Sequence, residues 1–119
     1  MLCKAEEGKI IKVEDVGGSV SGNFAINPSE LSIEKGMIVI WLNTIKDQEI
    51  HIIFEDAKRL QTGTTDPMGF FQDAKGSFSA KYMPFIATSS LRFVKSGTYR
   101  YFVKSQNGKI SADGKIIVP

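Results

Sequence analysis

Met37-Ile38-Val39-Ile40-Trp41-Leu42 is the strongest strand signal in the chain, an unbroken apolar run rich in β-branched and aromatic residues. Being apolar on both faces, it reads as a central strand. Trp41 is its core anchor, large enough to bridge two sheets about 10 Å apart provided its ring N–H finds an acceptor. Just upstream, Glu34-Lys35-Gly36 reads as a tight turn and Leu31-Ser32-Ile33 alternates as a strand. Further back, Lys9-Ile10-Ile11-Lys12-Val13 and the stretch from Val20 to Ile26 are short strands. They are separated by Val16-Gly17-Gly18-Ser19 and ended by Asn27-Pro28-Ser29. Downstream lie His51 to Phe54, Thr88 to Phe93, Thr98 to Val103 and Gly114 to Val118, with turns at Lys95-Ser96-Gly97 and Gln106-Asn107-Gly108-Lys109. Along Thr98 to Val103, period-two alternation puts Tyr99, Tyr101 and Val103 on one face and Arg100 and Phe102 on the other.

The pattern blurs between Glu55 and Ala87, where Gly63, Pro67, Gly69 and Gly76 interrupt any period. This stretch reads as an irregular insertion, with a helical turn over Glu55 to Leu60 and a short edge strand at Ser77-Phe78-Ser79. About eight short strands separated by turns predict an all-β fold, an antiparallel sandwich or barrel.

The 119 residues make one domain, read as a flexible tail over 1–8 and a folded unit over 9–119. With 42% apolar and 24% charged residues, the composition excludes a disordered chain. No apolar run approaches the ~20 residues of a membrane-spanning helix. Fifteen basic against 13 acidic residues give a net charge of +2, too balanced for an electrostatic nucleic-acid binder. The single cysteine, Cys3, and the single histidine, His51, exclude a disulfide framework, an intrachain zinc finger and a Cys-x-x-Cys redox pair. Catalysis finds no support. No nucleophile–histidine pair or phosphate loop is present, and Glu55 with Asp56 or Asp66 with Asp73 have no acid–base spacing.

Two segments carry a family resemblance. The first is Phe24-x-Ile26-x-Pro28-x-x-Leu31-x-Ile33-x-x-Gly36-x-x-Val39-x-Trp41-x-Asn43, followed by His51. The second is Gly97-Thr98-Tyr99-Arg100-Tyr101-Phe102-Val103, closing in Gly114-Lys115-Ile116-Ile117-Val118. Together they resemble the cupredoxins, the plastocyanin-like blue copper proteins. The resemblance implies a Greek-key β-sandwich of about eight strands with copper at one end, held by a His at a strand start and by Cys, His and Met from the loop after the Gly-Thr-Tyr strand. His51 matches the first ligand. Val103 stands at the Cys position, Gln106 at the second His, and the Met position falls at Ser111 or Ala112. A blue copper centre needs two imidazoles and a thiolate, and valine has no lone pair to offer.

The expectation is therefore a non-catalytic domain without a type 1 copper centre and without a cofactor, exported, and binding another protein such as a redox or membrane-associated partner. Phe70, Phe71, Tyr82 and Phe85 are its candidate docking residues, beside His51 and the Lys104 to Lys109 loop. The competing reading of these aromatics is a cap that fills the end of the sandwich. The alternative function is copper handling or electron transfer by His51 with Met68 and Met83, since thioethers suit Cu(I). A third class is a carbohydrate- or small-ligand-binding sandwich using Trp41 or Tyr82. For Cys3, the functional reading is a lipid anchor at the head of a mature periplasmic or extracellular lipoprotein. The bland reading is an incidental terminal thiol.

Overall fold

Alternation of side chains between two faces organises every long strand. The computed structural model describes residues 8–16, 23–46, 48–106, 108 and 110–119. Its strands are β1 (Gly8–Val16), β2 (Asn23–Asn27), β3 (Glu30–Ser32), β4 (Ile38–Asn43), β5 (Ile50–Phe54), β6 (Thr64–Met68), β7 (Phe71–Gln72), β8 (Phe78–Met83), β9 (Thr88–Phe93), β10 (Gly97–Ser105) and β11 (Ser111–Val118). Among the described residues one helix, α1 (Ala57–Gly63), is capped by Asp56, whose side chain accepts from the Arg59 N–H at 3.1 Å.

Two sheets pack face to face. One has the order β2-β1-β4-β9-β6, the other β3-β11-β10-β5-β8-β7. The chain changes sheet at every step from β2 to β7 and again on either side of β9, so most neighbours in sequence lie in opposite sheets. This is the all-β sandwich expected from the sequence. β4 is central, hydrogen-bonded between β1 and β9. Trp41 is fully buried and bridges the sheets, with its ring 5.8 Å from Phe54 and 5.5 Å from Tyr101, both edge-on. Among the described residues neither Trp41 Nε1 nor the Tyr101 hydroxyl has a hydrogen-bond partner of good geometry, although the indole N–H still favours the ionised form of that hydroxyl. Aromatic packing, not a polar handle, secures this residue.

The segment 55–87 is not an irregular insertion. It supplies α1 and three strands, and β6 and β7 form sheet edges. Register shifts in the β6–β9 and β5–β8 pairings, together with Pro67 in edge strand β6, break the sequence period without breaking the sheets. These strands raise the count from about eight to eleven among the described residues. Gly8 belongs to β1 rather than to a tail, and Cys3 lies outside the described residues. Tyr99 locks the start of β10, its hydroxyl donating to Lys95 O at 2.8 Å, in the manner of a tyrosine corner.

Candidate functional site

The end of the sandwich where ligands would converge is built from β5, β8, β10 and β11. Cross-strand register assigns each residue to a face. Ala112, Val103, Ile52 and Ala80 form one row, and Val103, Ile52 and Ala80 are fully buried. Ser105, Ile50 and Met83 form another buried row. Between them, His51, Lys104 and Ser111 share the opposite, outward face. The position expected for a thiolate thus points inward, and the imidazole points away from it.

This corrects the sequence-based match of His51 to a ligand. The inward partner of Val103 on β5 is Ile52, and the next inward residue toward the end of the sandwich is Ile50. His51 is half-buried on the outer face, where its Nδ1 accepts from the Tyr82 N–H at 3.3 Å. Its ring meets the Tyr82 ring edge-on at 5.1 Å. Burial, and then the Lys81 ammonium, hold its pKa below the usual 6.5, with Glu49 opposing. A neutral imidazole accepting at Nδ1 carries its proton on Nε2.

His51, Met68 and Met83 do not come together. Met83 is buried on the inner face, its sulfur accepting from the Ser89 hydroxyl at 3.3 Å. Met68 is 66% exposed at the edge of the other sheet. Ser111 shares the outer row with His51, and Gln106 is exposed in the turn after β10. Among the described residues, no group of three or more His, Cys, Asp or Glu is placed to hold a metal ion.

The candidate docking aromatics divide. Phe70 is 3% exposed, stacked on Phe78 at 5.7 Å and edge-on to Trp41 at 5.5 Å. It is a core residue, because the chain turns at Gly69 and drives the ring between the sheets. Phe71 (73%), Tyr82 (64%) and Phe85 (41%) are exposed.

Two features of this end had no signal in the sequence pattern. The first is a one-residue bulge. Ile50 and Ile52 oppose Met83 and Ala80, so β8 carries an extra residue, and Lys81 and Tyr82 both point out beside His51. The second is Ile86, 58% exposed and held at φ +75°. It sits in the turn closed by Ala87 N–H donating to Pro84 O at 3.0 Å. A β-branched residue in the left-handed region is strained by about 1–3 kcal/mol. Ile86→Gly is therefore expected to raise stability by about 1 kcal/mol in urea unfolding, and a loss of stability would refute the strain.

Behind this surface, Asn43 is fully buried and ties the end together. Its Nδ2 donates to Gln48 O at 2.8 Å and Met83 O at 2.9 Å, and its Oδ1 accepts from the Ile45 N–H at 2.8 Å. A cleft of about 410 Å³ lined by Gln48, Glu49, Pro84, Phe85 and Gln106 opens beside it.

No family model matches the sequence, and no curated protein matches it. Solved structures do. A methionine-to-alanine variant of amicyanin in the Cu(I) state superposes with a TM-score of 0.61 at 17% identity, covering 98% of this chain and 86% of that one. A reduced tryptophan-to-tyrosine variant of amicyanin gives 0.59 at 16% identity, over 98% and 86%. An oxidised proline-to-alanine variant gives 0.59 at 16% identity, over 95% and 83%. Strand order, the Trp41 anchor and this superposition over nearly the whole chain agree: the protein has the cupredoxin fold.

Proposed function

We propose that this chain is a non-catalytic cupredoxin-fold domain without type 1 copper chemistry, acting outside the cytoplasm as a protein-binding accessory module. The carrying observation is Val103, fully buried against Ile52 at the position where the resemblance calls for a thiolate. The donors facing inward at this end are the Met83 thioether and the Ser105 hydroxyl, the latter accepting from the Ile110 N–H at 3.1 Å. That set does not fit a site that needs two imidazoles and a thiolate. The exposed run around Tyr82, Phe85 and the strained Ile86 supports the docking role, since strain at an exposed apolar turn is retained where a surface is used. An exported location rests on the family resemblance of the two segments quoted above.

The test is a titration with Cu(II), followed by visible absorption. The expected result is no intense band of the kind that colours a copper–thiolate centre. Such a band at one equivalent of copper would overturn the reading.

A further inference from the structure

On the outer face of the second sheet, where β7 leaves β8, lies a groove of about 290 Å³. Its walls include the exposed rings of Phe71 and Tyr82. Its rim carries Gln72, Asp73 and Lys81, and Ser79 lines it from the sheet. Phe71, Ser79 and Ile53 stand in one outward cross-strand row, which puts the Ser79 side chain beneath the groove. Ser79 is only 3% exposed and lines the groove. Gly69 closes the inner end at φ +85°, where a Cβ would stand 2.6 Å from the Ser89 Oγ, so the chain can pass this point only without a side chain.

We propose that this groove is a binding site for a neutral sugar ring. A pyranose has an apolar face of C–H groups and an equator of hydroxyls that both donate and accept. Phe71 and Tyr82 offer the aromatic surface for the face. Ser79 donates and accepts, Gln72 donates (its Oε1 already accepts from Gln61 Nε2), Asp73 accepts and Lys81 donates, which answers the equator. Asp73 is already organised for this. Its Oδ1 accepts from the N–H groups of Lys75 at 2.9 Å and Ser77 at 3.0 Å, which fixes the carboxylate and keeps both of these bonds on one oxygen. The other ligand classes fit less well. A hydrocarbon would leave the Ser79 hydroxyl and both rim charges unpaired at the contact. An anion would meet the Asp73 carboxylate, and a cation the Lys81 ammonium. The volume, at the lower limit of small-ligand pockets, holds a single ring rather than a larger compound.

The experiment titrates the full isotope-labelled chain with neutral oligosaccharides (maltohexaose, cellohexaose, xylohexaose and chitohexaose in its N-acetylated form) and follows backbone amide shifts. At least one sugar is expected to saturate at millimolar concentration, with shifts confined to residues 69–73 and 79–82. Phe71→Ala and Tyr82→Ala should each weaken binding about tenfold. Both side chains are exposed, so the variants should keep the parent melting temperature. Ser79→Ala should weaken binding severalfold, and Lys35→Ala, in an exposed turn outside the groove, should leave it unchanged. The proposal fails if no sugar of the panel shifts these amides, if the shifts fall elsewhere, or if Phe71→Ala binds as well as the parent. Preferential uptake of indole, with every sugar silent, would also overturn it and assign the groove to a flat apolar ligand.

Discussion

Stability is expected to fall by roughly 2–3 kcal/mol as the pH rises from below 10.0 to about 12, through the ionisation of Tyr101. The ring is 1% exposed between the sheets, and burial pushes its pKa up from 10.0 to about 12, with the Trp41 indole opposing. The sign follows from proton counting. The unfolded chain releases this proton near pH 10.0, while the folded chain holds it to about 12. The contribution is therefore complete below the first value and gone above the second. Burial pushes the Tyr99 pKa up as well, so the neighbouring ring adds a slope of the same sign. The comparison that isolates Tyr101 is Tyr101→Phe, measured by urea unfolding across the same range. The variant should lose most of the alkaline slope. At neutral pH it should match or exceed the parent by about 1 kcal/mol, because it removes a buried hydroxyl with no partner of good geometry among the described residues. An unchanged slope in Tyr101→Phe would show that the buried ring does not hold its proton as described.

The same pair of rings shows what the sequence could and could not say. Alternation along β10 puts Tyr99, Tyr101 and Val103 on one face, and in the fold all three are buried. Period two needs only the strand itself to be regular. His51 went wrong for a related reason. Its place near a strand start matched a family pattern, but Ile50, Ile52 and Phe54 alternate as the apolar set and leave His51 facing out. That alternation was legible in the sequence and outranks a match by order alone. Phe70 and Phe71 are a different case. Adjacent phenylalanines in a segment without period carry no facing information, and a left-handed Gly69 decides that the first turns in. The bulge opposite His51 was equally hidden, because an extra residue is defined only against its partner strand. The outward row that frames the Ser79 groove is therefore a product of pairing, and no local pattern announces it.

Removing the Asn43 side chain is expected to cost about 3–5 kcal/mol, the largest effect of any single polar substitution proposed for this protein. The residue lies at the end of β4, fully buried, and its amide serves three backbone groups in different parts of the chain. In Asn43→Ala, the carbonyls of Gln48 and Met83 and the N–H of Ile45 lose their partners together. Two of these bonds are wholly buried, so the freed groups find little water. The melting temperature should fall by roughly 10–15 °C. The substitution that separates hydrogen bonding from packing is Asn43→Asp, which keeps the shape. At neutral pH the introduced carboxylate would place negative oxygen against the Gln48 and Met83 carbonyls, where the amide now donates. Its folded pKa must then lie above the unfolded one, so the lost stability should return as pH falls and the protonated carboxyl donates to one carbonyl. Recovery in acid is the signature. A variant as stable as the parent at all pH values would mean that Asn43 acts through volume alone. Because the Asn43 backbone also accepts from the Ile86 N–H at 2.8 Å and donates to Ala87 O at 3.1 Å, loosening this anchor should first release the turn that presents Phe85 and Ile86. The polar network under the exposed turn is thus what converts a strained apolar loop into a fixed surface, and its removal should be felt there before it is felt in the Trp41 core.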